Sequence, residues 1–178
     1  MSKEVLEVIK TRSSARAYSG DEVPQDILMR VIEAGLQSPT GMNLKEIHFS
    51  VVKGDHAILG ELDEEKRLLR GQGRLEHNFF YEAPVLIILS AQDDAKWNKV
   101  DSGIAVMAMS LAAESLGLGS LIIGCIYDAM HGEKKAYFDK AFDIPEGYSF
   151  QIALAVGYKT DDKTPHTYEV DSQVSYID

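Results

Sequence analysis

The sequence predicts an α+β fold, a sheet packed by helices, and three observations carry that expectation. Apolar residues recur at helical spacing in some stretches and run unbroken in others, and the two kinds interleave without strict alternation. The length of 178 residues suits one domain. With 45% hydrophobic and 26% charged residues, the composition is that of a globule able to bury a core, which excludes a disordered chain.

Taken in order, Val5, Leu6 and Ile9 mark a short amphipathic helix over 3–11. Ser19-Gly20-Asp21-Glu22 is a turn, and Pro24 then opens a helix whose apolar face, from Ile27 to Leu36, runs to about Gln37. Ser38-Pro39-Thr40-Gly41-Met42-Asn43 breaks it with turn formers. His48–Val52 reads as a strand. Residues 56–82 look weakly helical around a polar, glycine-containing middle. Val85–Leu89, introduced by Pro84, is a continuous apolar strand suited to a sheet centre. From Asp101 to Leu116 runs the longest helix, so apolar all round that it must be covered on every side, and a second subunit is the expected cover. Gly117 stops it. Leu121–Ile126 is a strand, 133–142 a helix, and Phe150–Val156 the last strand. A polar, irregular tail ends in Val174-Ser175-Tyr176-Ile177, an end suited to docking on a partner chain. The division is therefore one domain over 1–160 and a tail over 161–178.

Charge and cysteine count narrow the function classes. The net charge is -10, from 28 acidic and 18 basic residues, which argues against a nucleic-acid-binding face. The single cysteine, Cys125, precludes an intrachain disulfide or a cysteine-built metal site, and its apolar setting predicts a buried, inert thiol. The N-terminus lacks a signal-peptide core, and no apolar run reaches the roughly 18 residues that span a bilayer. A cytoplasmic protein away from membranes is the expectation.

Hydrolytic and nucleotide-loop chemistry finds no support. There is no Gly-x-Ser-x-Gly elbow, the five histidines lack zinc-ligand spacing, and no paired carboxylates stand in an apolar setting. No metal site is expected. Gly117-Leu118-Gly119-Ser120 follows a helix and precedes a strand, the reverse of the dinucleotide fingerprint.

Two loops remain. Arg12-Ser13-Ser14-Ala15-Arg16 concentrates two guanidinium forks and two hydroxyls in an acidic chain, a donor set matched to phosphate. Surface arginines at a helix C-terminus explain the same residues. Pro39, Thr40, Gly41 and Asn43 supply a hydroxyl and an amide able to read the polar edge of a heterocycle, or simply a capped turn. Because both loops bracket one helix, a ligand carrying a phosphate and a heterocycle accounts for them together.

At this point the chain resembles the nitroreductase family of flavin enzymes. The resemblance rests on Arg-Ser-Ser-Ala-Arg-Ala-Tyr, the helix from Pro24, Ser-Pro-Thr-Gly-Met-Asn, Ala83-Pro84 before an apolar strand, Leu-Ala-Ala-Glu-Ser-Leu-Gly-Leu-Gly-Ser followed by Leu-Ile-Ile-Gly, and Ala155-Val156-Gly157-Tyr158, in order from residue 3 to about 160. It implies a mostly antiparallel central sheet flanked by helices in an intertwined homodimer, with flavin mononucleotide (FMN) in clefts between subunits. It implies that Arg12, Ser13, Ser14 and Arg16 hold the phosphate and reach toward the ring. Pro39, Thr40, Gly41 and Asn43 would come from the other subunit, and Ile122, Ile123 and Gly124 would line the ring. It implies hydride transfer from NADH or NADPH through FMN to a nitroaromatic, quinone or similar small acceptor, the chemistry belonging to the flavin, so no side chain is nominated as catalytic. Reductive dehalogenation, flavin breakdown, a non-catalytic flavin-binding protein and a dimeric interaction protein remain alternatives.

The chain departs from the family in two places. After the asparagine the family usually has Gln, Pro and Trp, whereas this chain reads Asn43-Leu44-Lys45-Glu46-Ile47. Where the family tends to carry an arginine after the Gly-Tyr strand, the tail has only Lys159, Lys163 and His166, with Arg67, Arg70 and Arg74 as conceivable substitutes.

Overall fold

The computed structural model describes residues 4–54, 56–73 and 76–177. Strands β1 (Ile47–Lys53), β2 (Val85–Gln92), β3 (Gly119–Ile123) and β4 (Tyr148–Gly157) form one sheet in the order β1-β2-β4-β3, with every neighbouring pair antiparallel. The unbroken apolar run of β2 puts it inside the sheet, and all but its last residue is buried.

Alternation along β2 and β4 builds two cores. Leu86, Ile88, Ala153 and Ala155 point to one face, where they meet Leu62 of α3 (Ala57–Leu69), Met130 of α5 (Tyr127–His131) and Phe138 of α6 (Lys135–Ala141). Val85, Ile87, Leu89, Leu154 and Val156 point to the other, against Leu28 and Val31 of α2 (Gln25–Leu36) and Met109 and Ala113 of α4 (Asn98–Ser115). The short α1 (Val5–Thr11) packs beside α4, where the Thr11 hydroxyl donates to Glu114 Oε1 at 2.9 Å.

Several boundaries differ from the sequence expectation. The strand expected over 121–126 is shifted to Gly119–Ile123, because pairing with β4 ends at Ile123–Ala153 and the N–H of Tyr127 donates to Gly124 in a turn that starts α5. The weakly helical 56–82 stretch is helical only to Leu69, where Gly71 at φ +60° ends it in a conformation that favours glycine. The tail contains one short helix, α7 (Val170–Gln173).

Within one chain the longest helix is covered on one side only, which leaves the other side to the second subunit expected as its cover. One side of α4 packs on α2 and the sheet, but Val100, Ile104 and Met107 form an uncovered apolar stripe on the other. Val5, Leu6 and Ile9 of α1 are likewise uncovered. Among the described residues, no helix is long and apolar enough to cross a membrane.

Candidate functional site

The arginine-serine segment is laid along the outer edge of β3. Ser14 pairs with Ser120 in a parallel bridge, and the N–H of Ala15 donates to the Ser120 carbonyl at 2.9 Å. Further along, the N–H of Ser19 donates to Tyr158 and that of Thr160 to Ala17. Below the segment the buried Glu114 accepts from Thr11 and lies 3.3 Å from the Lys159 ammonium. Lys159 also meets Asp162 at 3.2 Å. Burial lowers the pKa of Lys159, but its hydrogen bonds to Asp162 and Glu114 outweigh that and hold it above the usual lysine value. Lys163 Nζ donates to the Ser14 carbonyl at 2.7 Å.

Beside this segment opens a cleft of about 480 Å³. It is lined by Ile122, Ile123 and Gly124 at the end of β3, by the exposed Arg16, Arg70 and Glu76, by the half-buried Tyr81, and by Lys66, which is buried 3.8 Å from Asp63. The Arg16 guanidinium stands 5.9 Å from the Tyr81 ring centroid, within cation–π range. The neighbouring Tyr18 phenol is pushed up by burial and by Asp161, against the opposing effect of Arg16. Two exposed guanidiniums beside apolar lining residues can seat a flat ring and an attached anion. A larger recess of about 780 Å³ lies elsewhere, between Gly20–Val23, Lys53-Gly54 and Asn78–Val85. Its lining holds one cationic side chain, Lys53, which donates to Gln25, together with Glu22 and Glu82, so it lacks the donor set for an anion.

Of the residues singled out in the sequence, Arg16, Ile122, Ile123 and Gly124 come together in this cleft. Arg12, Ser13 and Ser14 lie half-buried in the segment beside it. Among the conceivable cationic substitutes, Arg70 lines the cleft, Arg67 is paired with Asp63 at 3.1 Å, and Arg74 lies outside the described residues. The expectation of a buried Cys125 is corrected: the strand stops short of it, and the half-buried thiol lines the cleft. Lys66 and Tyr81 were missed because their stretch shows no clean period. Its signal was basic and aromatic residues gathered around glycines.

Pro39, Thr40, Gly41 and Asn43 are not brought to that cleft within one chain. They sit at the N-terminal end of α4, where the N–H of Gly41 donates to Asp101 Oδ2 at 2.8 Å. Thr11 meets Glu114 near the opposite end of α4, a separation of about 20 Å by helix rise. The N–H of Lys45 donates to Thr40 Oγ1 at 3.0 Å. Between these two bonds Met42, Asn43 and Lys45 all have φ between 55° and 59°, a left-handed region that non-glycine residues seldom occupy. Met42 is 90% exposed at the tip. Gly41 lies so close to Trp97 that an added Cβ would fall 2.7 Å from its Cδ1.

Next to this loop the absence of paired carboxylates, read from the sequence, is corrected. Glu46 is 2% exposed and Asp101 4%, and their carboxyls face each other. Neither Glu46 oxygen has a hydrogen-bond partner. Burial, reinforced by Asp101, holds the Glu46 pKa above the usual glutamate value, against the lowering effect of its own backbone and of Thr40. The pair was invisible in the sequence because the two positions are joined only by tertiary packing.

Residues 9–158 match the Nitroreductase family. A crystal structure of a nitroreductase with bound FMN from Bacteroides fragilis superimposes with a TM-score of 0.88 at 30% identity, covering 99% of this chain and all of that one. A protein of Methanothermobacter thermautotrophicus with the provisional name NADH dehydrogenase/NAD(P)H nitroreductase is 30% identical over 87% of this chain and 77% of its own length. The iodotyrosine deiodinase of Thermotoga neapolitana is 24% identical, over 90% of this chain and 91% of its own.

Proposed function

The chain belongs to the nitroreductase family, and from that membership we propose that it is an FMN-dependent oxidoreductase that moves hydride from NADH or NADPH to a nitroaromatic, quinone or similar small acceptor. The observation that carries the reading is the cleft that Arg16 and Arg70 line together with Ile122, Ile123 and Gly124. Its volume of about 480 Å³ lies within the range of small-molecule sites. The residues fit FMN: cationic groups for a phosphate, in a chain of net charge -10, and apolar lining residues for a ring.

Bound FMN supplies the hydride-accepting and hydride-donating ring, and the protein supplies what surrounds it. Arg12, Ser13, Ser14 and Arg16 would hold the phosphate. Ile122, Ile123 and Gly124 would line the ring. No side chain is required as an acid or base.

The cleft is completed by a second copy of the chain. The two predicted binding loops lie at opposite ends of α4, and the stripe of Val100, Ile104 and Met107 lies between them. Two chains packed antiparallel along this stripe bury it and bring Pro39, Thr40, Gly41 and Asn43 of one to the cleft of the other. The tail over 161–178, with Tyr168, Val174, Tyr176 and Ile177 exposed, docks on the partner subunit.

The test is to mix the purified protein with FMN and follow NADH and NADPH oxidation with and without a quinone, a nitroaromatic or an iodinated phenol. Yellow protein that oxidises a nicotinamide only when an acceptor is present supports the reading. Protein that stays colourless overturns it, yellow protein without turnover marks a flavin-binding protein, and selective loss of iodide marks a dehalogenase.

A further inference from the structure

Three backbone units at φ near +55° in one short loop do not persist unless the surroundings over-determine them. Met42, Asn43 and Leu44 are exposed, so their side chains do not hold the shape. The Lys45 N–H bond to Thr40 ties the loop only to itself. The tether to the rest of the fold is Gly41 N–H to Asp101, and what stands behind Asp101 is the unpartnered Glu46 carboxyl.

Asp101 lies in the first turn of α4, where the helix dipole favours negative charge, and it accepts the Gly41 N–H. Two buried carboxyls facing each other do not both ionise readily. The groups acting on Glu46 are its own backbone, Asp101 from α4 and Thr40 from the loop, and no basic side chain is among them. Burial and Asp101 together shift Glu46 toward its protonated form, and in that form it offers an O–H toward Asp101 or Thr40. Once ionised, it would repel Asp101 beneath the loop.

We propose that Asp101 and Glu46 form a two-carboxyl latch that holds the Thr40–Lys45 loop in its left-handed shape, which makes both of them positioning residues for the flavin that this loop receives. The role in flavin positioning rests on the reading in the preceding subsection; the latch itself is a property of the FMN-free protein.

The sole tryptophan, Trp97, lies against Gly41 and reports the latch without any cofactor. In FMN-free protein its emission should follow one titration above the usual glutamate range, and that titration should vanish in Glu46→Gln, whose neutral amide keeps the latch closed. Amide-exchange protection of residues 41–45 should fall along the same curve in the wild type. In Asp101→Ala it should fall roughly tenfold or more at every pH, the loss of a hydrogen bond to a charged acceptor. Glu46→Gln should keep both protection and FMN affinity at high pH, which a merely structural role would not predict. Trp97 emission and loop protection that are flat with pH in the wild type overturn the latch, even if Asp101→Ala fails to fold. FMN uptake is scored separately: a wild type that never binds FMN defeats the flavin reading while the cofactor-free measurements still decide the latch.

Discussion

The N–H of Ala15 donates to the carbonyl of Ser120 at 2.9 Å, and that bond fastens the cationic segment to the strand whose next residues, Leu121 to Gly124, line the cleft. Arg16 follows directly, so its placement depends on how closely the segment approaches β3.

Gly119→Ala tests that approach. A Cβ there would lie 2.5 Å from Lys159 Cβ and 2.9 Å from Ala15 Cβ, atoms too near their own backbones to swing aside. Overpacking of this kind costs about 1–3 kcal/mol. Urea unfolding should therefore shift to a lower midpoint with an unchanged slope. Gly60→Ala, on exposed helix with nothing within 4 Å of the added Cβ, should instead gain about 0.5–1 kcal/mol. Equal stability of the two variants would contradict the packing described for Gly119.

Arg16→Ala should weaken FMN binding by about 1–3 kcal/mol, the loss of a charged hydrogen bond, as followed by quenching of flavin fluorescence. Arg16→Lys should recover only part of the loss, because an ammonium cannot reproduce the planar fork or its stacking near Tyr81. Unchanged affinity in Arg16→Ala would remove this residue from the phosphate site.

What was legible in the sequence was whatever local pattern dictates. The run Val85–Leu89 announced an interior strand, the spacing from Ile27 to Leu36 announced α2, and the donor density of 12–16 singled out the segment that lies beside the cleft. What was illegible depends on meetings between distant positions. Nothing near Glu46 in sequence signals that Asp101 will face it, and Tyr81 shows no period that would send it to Arg16. The uncovered stripe of α4 lies between. Its apolar surplus was readable, but which side the sheet would cover was not, since Val106 and Met109 are as apolar as Ile104 and Met107.

That surplus carries a prediction about assembly. Ile104→Lys puts a charge on the stripe, and in the antiparallel pairing each copy would bury an unpaired ammonium at a cost of several kcal/mol. The wild type should sediment as a dimer and the variant as a monomer that still melts cooperatively, since Ile104 lies outside both cores. FMN affinity should fall as dimerisation is lost, because the Pro39–Asn43 loop would no longer reach its partner's cleft. A monomeric variant with full FMN affinity would refute the shared cleft.

Stability against pH should carry the mark of Glu46. Its pKa in the folded chain lies above the ordinary value of 4.5, so the folded state favours the protonated form. The resulting stabilisation is fully present below the ordinary value and is lost as pH rises through the raised one. Glu46→Gln removes that dependence while keeping a neutral group of the same shape. The difference in unfolding free energy between variant and wild type should therefore be flat at acidic pH and grow in the variant's favour as pH rises, levelling once Glu46 has ionised in both states. Asp101 fixes the sign: its charge opposes a second one on Glu46, whereas a basic neighbour would have reversed the trend. Urea titrations of both proteins at matched pH and salt measure it, and a difference that shrinks with rising pH would mean that Glu46 is ionised throughout the folded state.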